Sequence, residues 1–322
     1  MPALRHVPWM IPSAVMLLGA SAVSAQTYPA RPVRIVTADV GGGADLVARL
    51  LAQGLTAGLG QQVIVENRGG AGGAIAMEAV ARSAPDGYVL LLFSNGMWTL
   101  PFLQKVAYDP VKDFAPVSLV DKVPNFLVVH PSLPVKNVKD LIALARIRPG
   151  ELNYAAGSNG SSPHIAGELF RSMAGINVVR IAYKGTRAGI IDLLSGRVHY
   201  MFPNAAGVLP QVRAGRLKAL AVTSAEPSVL FPELPTIAAS GLPGYEAESS
   251  HSVFAPAGTP RTIVSLLNEE IVRVLRRADM KERLLNNGVE PIGTTPEQLS
   301  ATITSEMAKM GKVIKEAGIR TD

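Results

Sequence analysis

Apolar and polar positions along the chain alternate between two periods. From Pro32, the strand-like run Val33-Arg34-Ile35-Val36-Thr37 gives way to Gly41-Gly42-Gly43. Apolar residues then follow at Leu46, Val47, Leu50 and Leu51, spaced three and four apart. That order predicts a buried strand, a glycine loop and an amphipathic helix opened by Asp45. The unit recurs, with a short strand at 63–65, a glycine-rich stretch from Asn67 to Gly73, and a helix through Ile75, Met77 and Val80. Pro85-Asp86-Gly87 marks a turn before an apolar strand at 88–93 that ends on Ser94-Asn95-Gly96. Strands alternating with helices imply sheets covered on both faces.

The pattern breaks between residues 115 and 136. A strand at 126–130 stands between Pro124 and Pro131, with no helix separating it from the apolar run at 117–120, so the chain is expected to cross into a second unit here. A new alternating series follows: helix 138–147, strand 152–155, a helix from Pro163, strand 178–182, helix 187–194, strand 198–202, helix 205–214 and strand 217–223. A turn-dense segment at 227–244 precedes a return strand at 252–254 and helices at 260–277, 280–287 and 296–317. The expected architecture is α/β: two α/β lobes joined by paired crossover segments, with a C-terminal helical tail returning to the first. Residues 26–124 and 248–322 form lobe 1, and 125–247 form lobe 2.

One stretch concentrates chemistry: Tyr154-Ala155-Ala156-Gly157-Ser158-Asn159-Gly160-Ser161-Ser162-Pro163-His164, leaving a strand and entering a helix. Pro163 suits a first helical position and Ser162 an N-cap. Two glycines and several hydroxyls let backbone N–H groups converge, and a helix N-terminus adds about half a positive charge. Such a loop seats a carboxylate or phosphate without Lys or Arg; the plainer alternative is an ordinary, well-capped strand-to-helix connection. Ligands in open α/β sheets sit beyond the carboxyl ends of strands. The loops at 37–44, 94–96, 157–162, 183–185 and 203–204 are therefore expected to face one cleft.

Composition narrows the classes. The 322 residues are 48% hydrophobic and contain no cysteine, which excludes disulfides, thiolate ligands and a cysteine nucleophile. Arg5 and His6 precede an apolar run, and Val23-Ser24-Ala25 offers the small residues of a cleavage site. Residues 1–25 are expected to be a signal peptide, since the run is too short to span a membrane and Pro8 and Pro12 interrupt it. Removing them takes away Arg5 and no acid, lowering the formal charge from +6 to +5. Scattered basic residues and 5% aromatics speak against nucleic-acid binding.

Enzyme signatures are missing: there is no Gly-x-Ser-x-Gly elbow, no His-Glu-x-x-His and no glycine loop ending in Lys-Ser/Thr. No cofactor or metal is expected. His164 and Glu168, four apart, would need further histidines to hold a metal; a polar residue at the seat and a helix-stabilising Glu explain them better. Asp45 either orients the first glycine loop or contacts ligand, with capping as its expected main role. Tyr183 follows a strand and can line the cleft, whereas Lys184 is expected at the surface; Asn204 at a strand end is a candidate ligand amide or a turn residue. His130 and His199 fall in strand patterns and are expected to pack or face solvent. The Asn67–Gly73 stretch is expected to shape a turn.

Several motifs in sequence resemble one family: Tyr28-Pro29-x-Arg31-Pro32-x-Arg34-Ile35-Val36, the run from Gly41 to Arg49, Val65-Glu66-Asn67-Arg68, Pro85-Asp86-Gly87-Tyr88, Tyr108-Asp109-Pro110, Tyr183-Lys184-Gly185, Leu242-Pro243-Gly244-Tyr245 and Ala255-Pro256-Ala257-Gly258-Thr259-Pro260. They are similar to Bug-type (TctC-like) extracytoplasmic solute receptors of tripartite tricarboxylate transporter systems. The resemblance implies a periplasmic binding protein-like fold, closure on a small carboxylate, and delivery to a two-component membrane permease. A di- or tricarboxylate, an amino acid or an aromatic carboxylate is the expected ligand, and a monomer the expected state. The alternative is a periplasmic sensor of the same fold acting on a membrane signalling partner. In the family two strand–helix loops grip one carboxylate, and here they match 37–45 and 158–164. The candidate ligand-binding set is Ala38, Asp39, Gly41, Gly42, Asp45, Ser94, Asn95, Ser158, Asn159, Gly160, Ser161, Ser162, His164, Tyr183 and Asn204. Two departures stand out. Thr37-Ala38-Asp39-Val40 replaces a usually proline- and aromatic-rich stretch, and Ser250-His251 stands where a Trp is usual. Together they suggest a wider, more polar pocket in which Asp39 meets a positive ligand group or else points to solvent.

Overall fold

The computed structural model describes residues 28–38, 40–157, 161–183, 185–228 and 230–316. The segment 1–25 expected to be a signal peptide, Asp39, Ser158, Asn159, Gly160, Lys184 and the expected end of the last helix at 317 lie outside the described residues.

Two mixed sheets carry the chain. In the first half, strand β1 (Val33–Thr37) leads through the glycine loop into helix α1 (Gly43–Leu59), then β2 (Val63–Asn67), α2 (Ala74–Ala81), β3 (Val89–Ser94), a short α3 (Gly96–Thr99) and β4 (Phe114–Val123). The chain then enters β5 (Phe126–Val129), α4 (Val138–Ile147), β6 (Asn153–Ala156), α5 (Ser162–Ala174), β7 (Val179–Ala182), α6 (Thr186–Leu194), β8 (Tyr200–Met201), α7 (Ala205–Arg213) and β9 (Lys218–Val222). It returns in β10 (Ser249–Pro256), followed by α8 (Arg261–Arg276), α9 (Ala278–Asn286), β11 (Glu290–Pro291) and α10 (Pro296–Glu316). One sheet has the order β11-β4-β10-β3-β1-β2, the other β7-β6-β8-β5-β9. The sequence pattern does not mark β11 or the four-residue α3. Each is too short to establish a period.

Helix α1 shows why these residues fold as they do. Val47, Leu50, Leu51 and Leu55 fall on one stripe, all buried against the first sheet, and Gly60 closes the helix in the left-handed region at φ 64°. Each such side chain contributes about 1.5–3 kcal/mol on burial. Gly54 on the same stripe lets α8 approach: a β-carbon there would stand 2.4 Å from Val274 Cγ1. Val264, Leu267, Ile271 and Val274 of α8 join that core, while Leu299 and Ile303 of α10 join a second one on the other face of the same sheet. The C-terminal helices thus return to the first sheet, as the helical-tail expectation has it.

The chain passes between the sheets twice, at Pro124-Asn125 and between β9 and β10. Asn125 binds both passages. It is fully buried, its backbone N–H donates to Thr223 Oγ1 at 3.0 Å, and its Nδ2 donates to Ala247 O at 2.9 Å and to Ser162 Oγ at 2.5 Å.

Candidate functional site

A cavity of about 460 Å³ opens between the two sheets. From the first sheet's side it is walled by Ala38 and Val40 through Ala44, by Phe93, Ser94 and Gly96 after β3, and by Ser249 and His251 of β10. From the second come Ser161 through Pro163, Gly185 through Arg187, and Asn204. The loops that end β1, β3, β6, β7 and β8 therefore share one space.

Each loop feeds a helix. Gly42, Ser161, Gly185 and Asn204 are the N-cap residues of α1, α5, α6 and α7, all with extended backbone, and all four line the cavity. Only Ser161 caps its helix with its own side chain, accepting from the His164 N–H at 3.4 Å. The cap is one residue earlier than Ser162, which instead takes the first helical position, with Pro163 next. Four helix N-termini aimed at one volume make it strongly receptive to anions, since each carries orphan N–H donors and a partial positive charge. Among the described residues lining it there is no carboxylate, and Arg187 is the one full-time cation.

Asp45 does not line the cavity. It is buried, and its Oδ2 accepts from the Gly41 N–H at 2.9 Å and from Arg49 Nε at 3.1 Å, while Oδ1 accepts from Asn67 Nδ2 at 2.9 Å. Burial alone would raise its pKa, but the Arg49 and Asn67 side chains, the Gly41 amide and the Arg49 charge outweigh it and hold the carboxyl below its ordinary value. Its work is to set the glycine loop, with Gly41 at φ 75°.

Three more of the sequence-derived candidates are placed away from the large cavity. His164 is fully buried in the first turn of α5. Asn95 donates from Nδ2 to Glu248 O at 2.9 Å, tying the β3 end to the crossover, and Tyr183 donates from its hydroxyl to Asp192 Oδ2 at 2.8 Å. Glu168 is likewise committed. Tyr154 Oη donates to its Oε1, and Arg171 grips Oε2 through Nε and Nη2 at 3.1 and 2.7 Å.

Other residues reach the cavity without having been singled out. Arg187 and Thr186 line it from α6, and the Arg187 side chain approaches the glycine loop. A β-carbon on Gly43 would stand 3.5 Å from His251 Nε2 and 3.7 Å from Asn204 Nδ2. Gly72 also lines it, and Gly73, at φ 92°, would bring a β-carbon within 2.1 Å of Phe93 Cζ, so this glycine run shapes close packing behind the wall. Ser250 faces a second, smaller cavity of about 90 Å³ beneath the crossover, among Lys122, Glu246, Glu248, Glu306 and Lys309.

Among the described residues no helix is long and apolar enough to cross a membrane. The tripartite tricarboxylate transporter family receptor (TctC) pattern matches residues 47–319. Protein BugT of Bordetella pertussis (strain Tohama I) is 40% identical over 305 residues, covering 94% of each chain. Among solved structures, R. palustris Rpa4515 with adipate is 39% identical with a TM-score of 0.86, covering 91% of this chain and all of that one. MatC from Rhodopseudomonas palustris with bound malate is 31% identical with a TM-score of 0.83, over 89% of this chain and all of that one. Members of this family are extracytoplasmic solute receptors rather than enzymes. With its two sheets and the family pattern running from α1 to the last helix, the chain belongs to the tripartite tricarboxylate transporter family receptors.

Proposed function

We propose that the protein is a periplasmic receptor that captures a small dicarboxylate between two hinged lobes, 26–124 with 248–322 and 125–247, and delivers it to a two-component permease. The observation that carries this is the meeting of four helix N-termini around one cavity whose described lining holds Arg187 and no carboxylate. Ala38, Gly41, Gly42, Ser94, Ser161, Ser162 and Asn204 are the proposed contacts from the candidate set. Ser158, Asn159 and Gly160 are proposed for the second of the two grips, while Asp39 in the first loop is not a proposed contact for a dicarboxylate. Thr186, Arg187 and His251 join the proposed contacts. Adipate and malate, bound by the related Rpa4515 and MatC, represent the ligand class. Export through a cleaved signal peptide places the receptor where such acids arrive.

Closure of the lobes would exclude water and strengthen each amide–carboxylate contact. Titration calorimetry of the mature chain against straight-chain dicarboxylates from three to six carbons tests the reading. Saturable binding with a raised melting temperature is expected. Absence of binding across the series, with retained native unfolding, overturns it.

A further inference from the structure

His251 is a histidine at the crossover that the two carboxylate-gripping loops do not include. Strands β10 and β4 pair antiparallel with a register break between His251 and Ser252, and Asp121 stands opposite His251 at the break. Asp121 is fully buried; its Oδ1 accepts from the His251 backbone N–H at 3.2 Å and lies 2.8 Å from His251 Nδ1. A carboxylate has only acceptors, so Nδ1 carries a proton and Nε2 is the ring atom left for other partners. The ring lines the large cavity, with Nε2 beside the first turn of α1 at Gly43.

The surrounding charges oppose one another. From β4, Asp121 favours an imidazolium; its neighbour Lys122 is paired with Glu248 at 3.5 Å. From β3, the register partner is the neutral Ser94. From α1, the helix dipole disfavours a second positive charge, while Asp45 is occupied by Gly41, Arg49 and Asn67. From the second sheet's side, Arg187 lines the same space, as does the neutral Asn204. A carboxylate arriving in the cavity would meet Arg187, the α1 N-terminus and the His251 ring together.

We propose that His251, oriented by Asp121, is a specificity-determining contact: it donates from Nε2 to a carboxylate of the bound acid, and the acid's arrival draws a proton from solvent onto the imidazole. This rests on the receptor reading and narrows its ligand class to acids that present an ionised carboxylate beside Gly43. A hydroxyl or amide at that point would not draw the proton.

Calorimetric titrations of the wild type, His251→Asn and Asp121→Asn with adipate and malate, in two buffers of different ionisation enthalpy at pH 5.5, 7.0 and 8.5, test this. Wild-type affinity should fall between pH 5.5 and 8.5, by at most about tenfold per pH unit, with net proton uptake within that span. In His251→Asn the amide can still donate to Asp121. That variant should bind on the order of tenfold more weakly at pH 5.5, lose this pH dependence and take up no proton. Asp121→Asn should move the pH-dependent range downward. A wild type that binds with equal affinity at all three pH values and takes up no proton at any of them overturns the inference whatever the variants do. So does a His251→Asn variant with the wild-type pH profile. Should neither acid nor any other dicarboxylate in the series bind the wild type at all, the receptor reading itself falls and this inference falls with it.

Discussion

Arg187 extends from α6 across the gap to the glycine loop: its Nη2 lies 3.6 Å from where a β-carbon on Gly41 would stand. One cation thus meets a backbone turn from the opposite lobe, across the space proposed for the ligand. Arg187→Gln should weaken dicarboxylate binding about 10- to 100-fold, the range of one charge-assisted hydrogen bond, with little change in the unliganded melting temperature. Calorimetry paired with thermal unfolding checks both halves.

Asp45 holds that turn. Asp45→Ala should cost about 2–3 kcal/mol in urea unfolding, because the Gly41 amide, Arg49 and Asn67 lose one shared partner. The wild-type carboxyl titrates below its ordinary value, so its stabilisation is full above that value and is lost as pH falls through the lowered one. Unfolding midpoints between pH 6 and 3 should therefore fall more steeply for the wild type than for Asp45→Asn.

Glu306 behaves with the opposite sign. Burial lifts its pKa; the hydrogen bond from Trp98 Nε1, at 2.8 Å, and the Lys122 and Lys309 charges only partly offset this, and Glu246 adds to the rise. Burial raises Glu248 nearby as well. The folded state favours the protonated acid, so the contribution of Glu306 to stability is greatest below about pH 4.5 and declines as pH rises through the raised value. Glu306→Gln keeps an acceptor for Trp98 and should stabilise the protein by roughly 1 kcal/mol at pH 7.5 and by nothing at pH 4. Equal effects at both pH values would point to packing instead.

Gly167 sets how closely α5 lies on β6. A β-carbon there would fall 2.3 Å from Tyr154 Cε2, and Tyr154 is pinned by its bond to Glu168. Gly167→Ala should cost about 1–3 kcal/mol through overpacking and displace the Ser161–Ser162 turn, weakening binding too. Parallel losses in melting temperature and affinity are the expected signature.

The strand–glycine–helix grammar was readable because its signals are local. The 33–37 run, the glycines before α1 and the proline-flanked strand after Pro124 each fix an element within a few residues. The five loops at strand ends followed from that grammar, and all five contribute to the cavity wall. What escaped was non-local. Nothing near His251 reveals that Asp121, 130 positions earlier, will face it across a register break. Arg187 looked like an ordinary helix opening until the second sheet's placement brought it to Gly41. His164 was legible as a residue beside the seat, but its complete burial depends on what packs over α5. The Ser161–Ser162 ambiguity was a one-residue matter of which hydroxyl meets the His164 amide.

From the first passage between the sheets, the Asn125 amide reaches the second passage at Ala247 and the first residue of α5 at Ser162. The crossover and the mouth of that helix therefore share one hydrogen-bonding group. Under the proposed closure, the geometry of the joint and the set of the α5 mouth are then not independent, because one side-chain nitrogen ties them together.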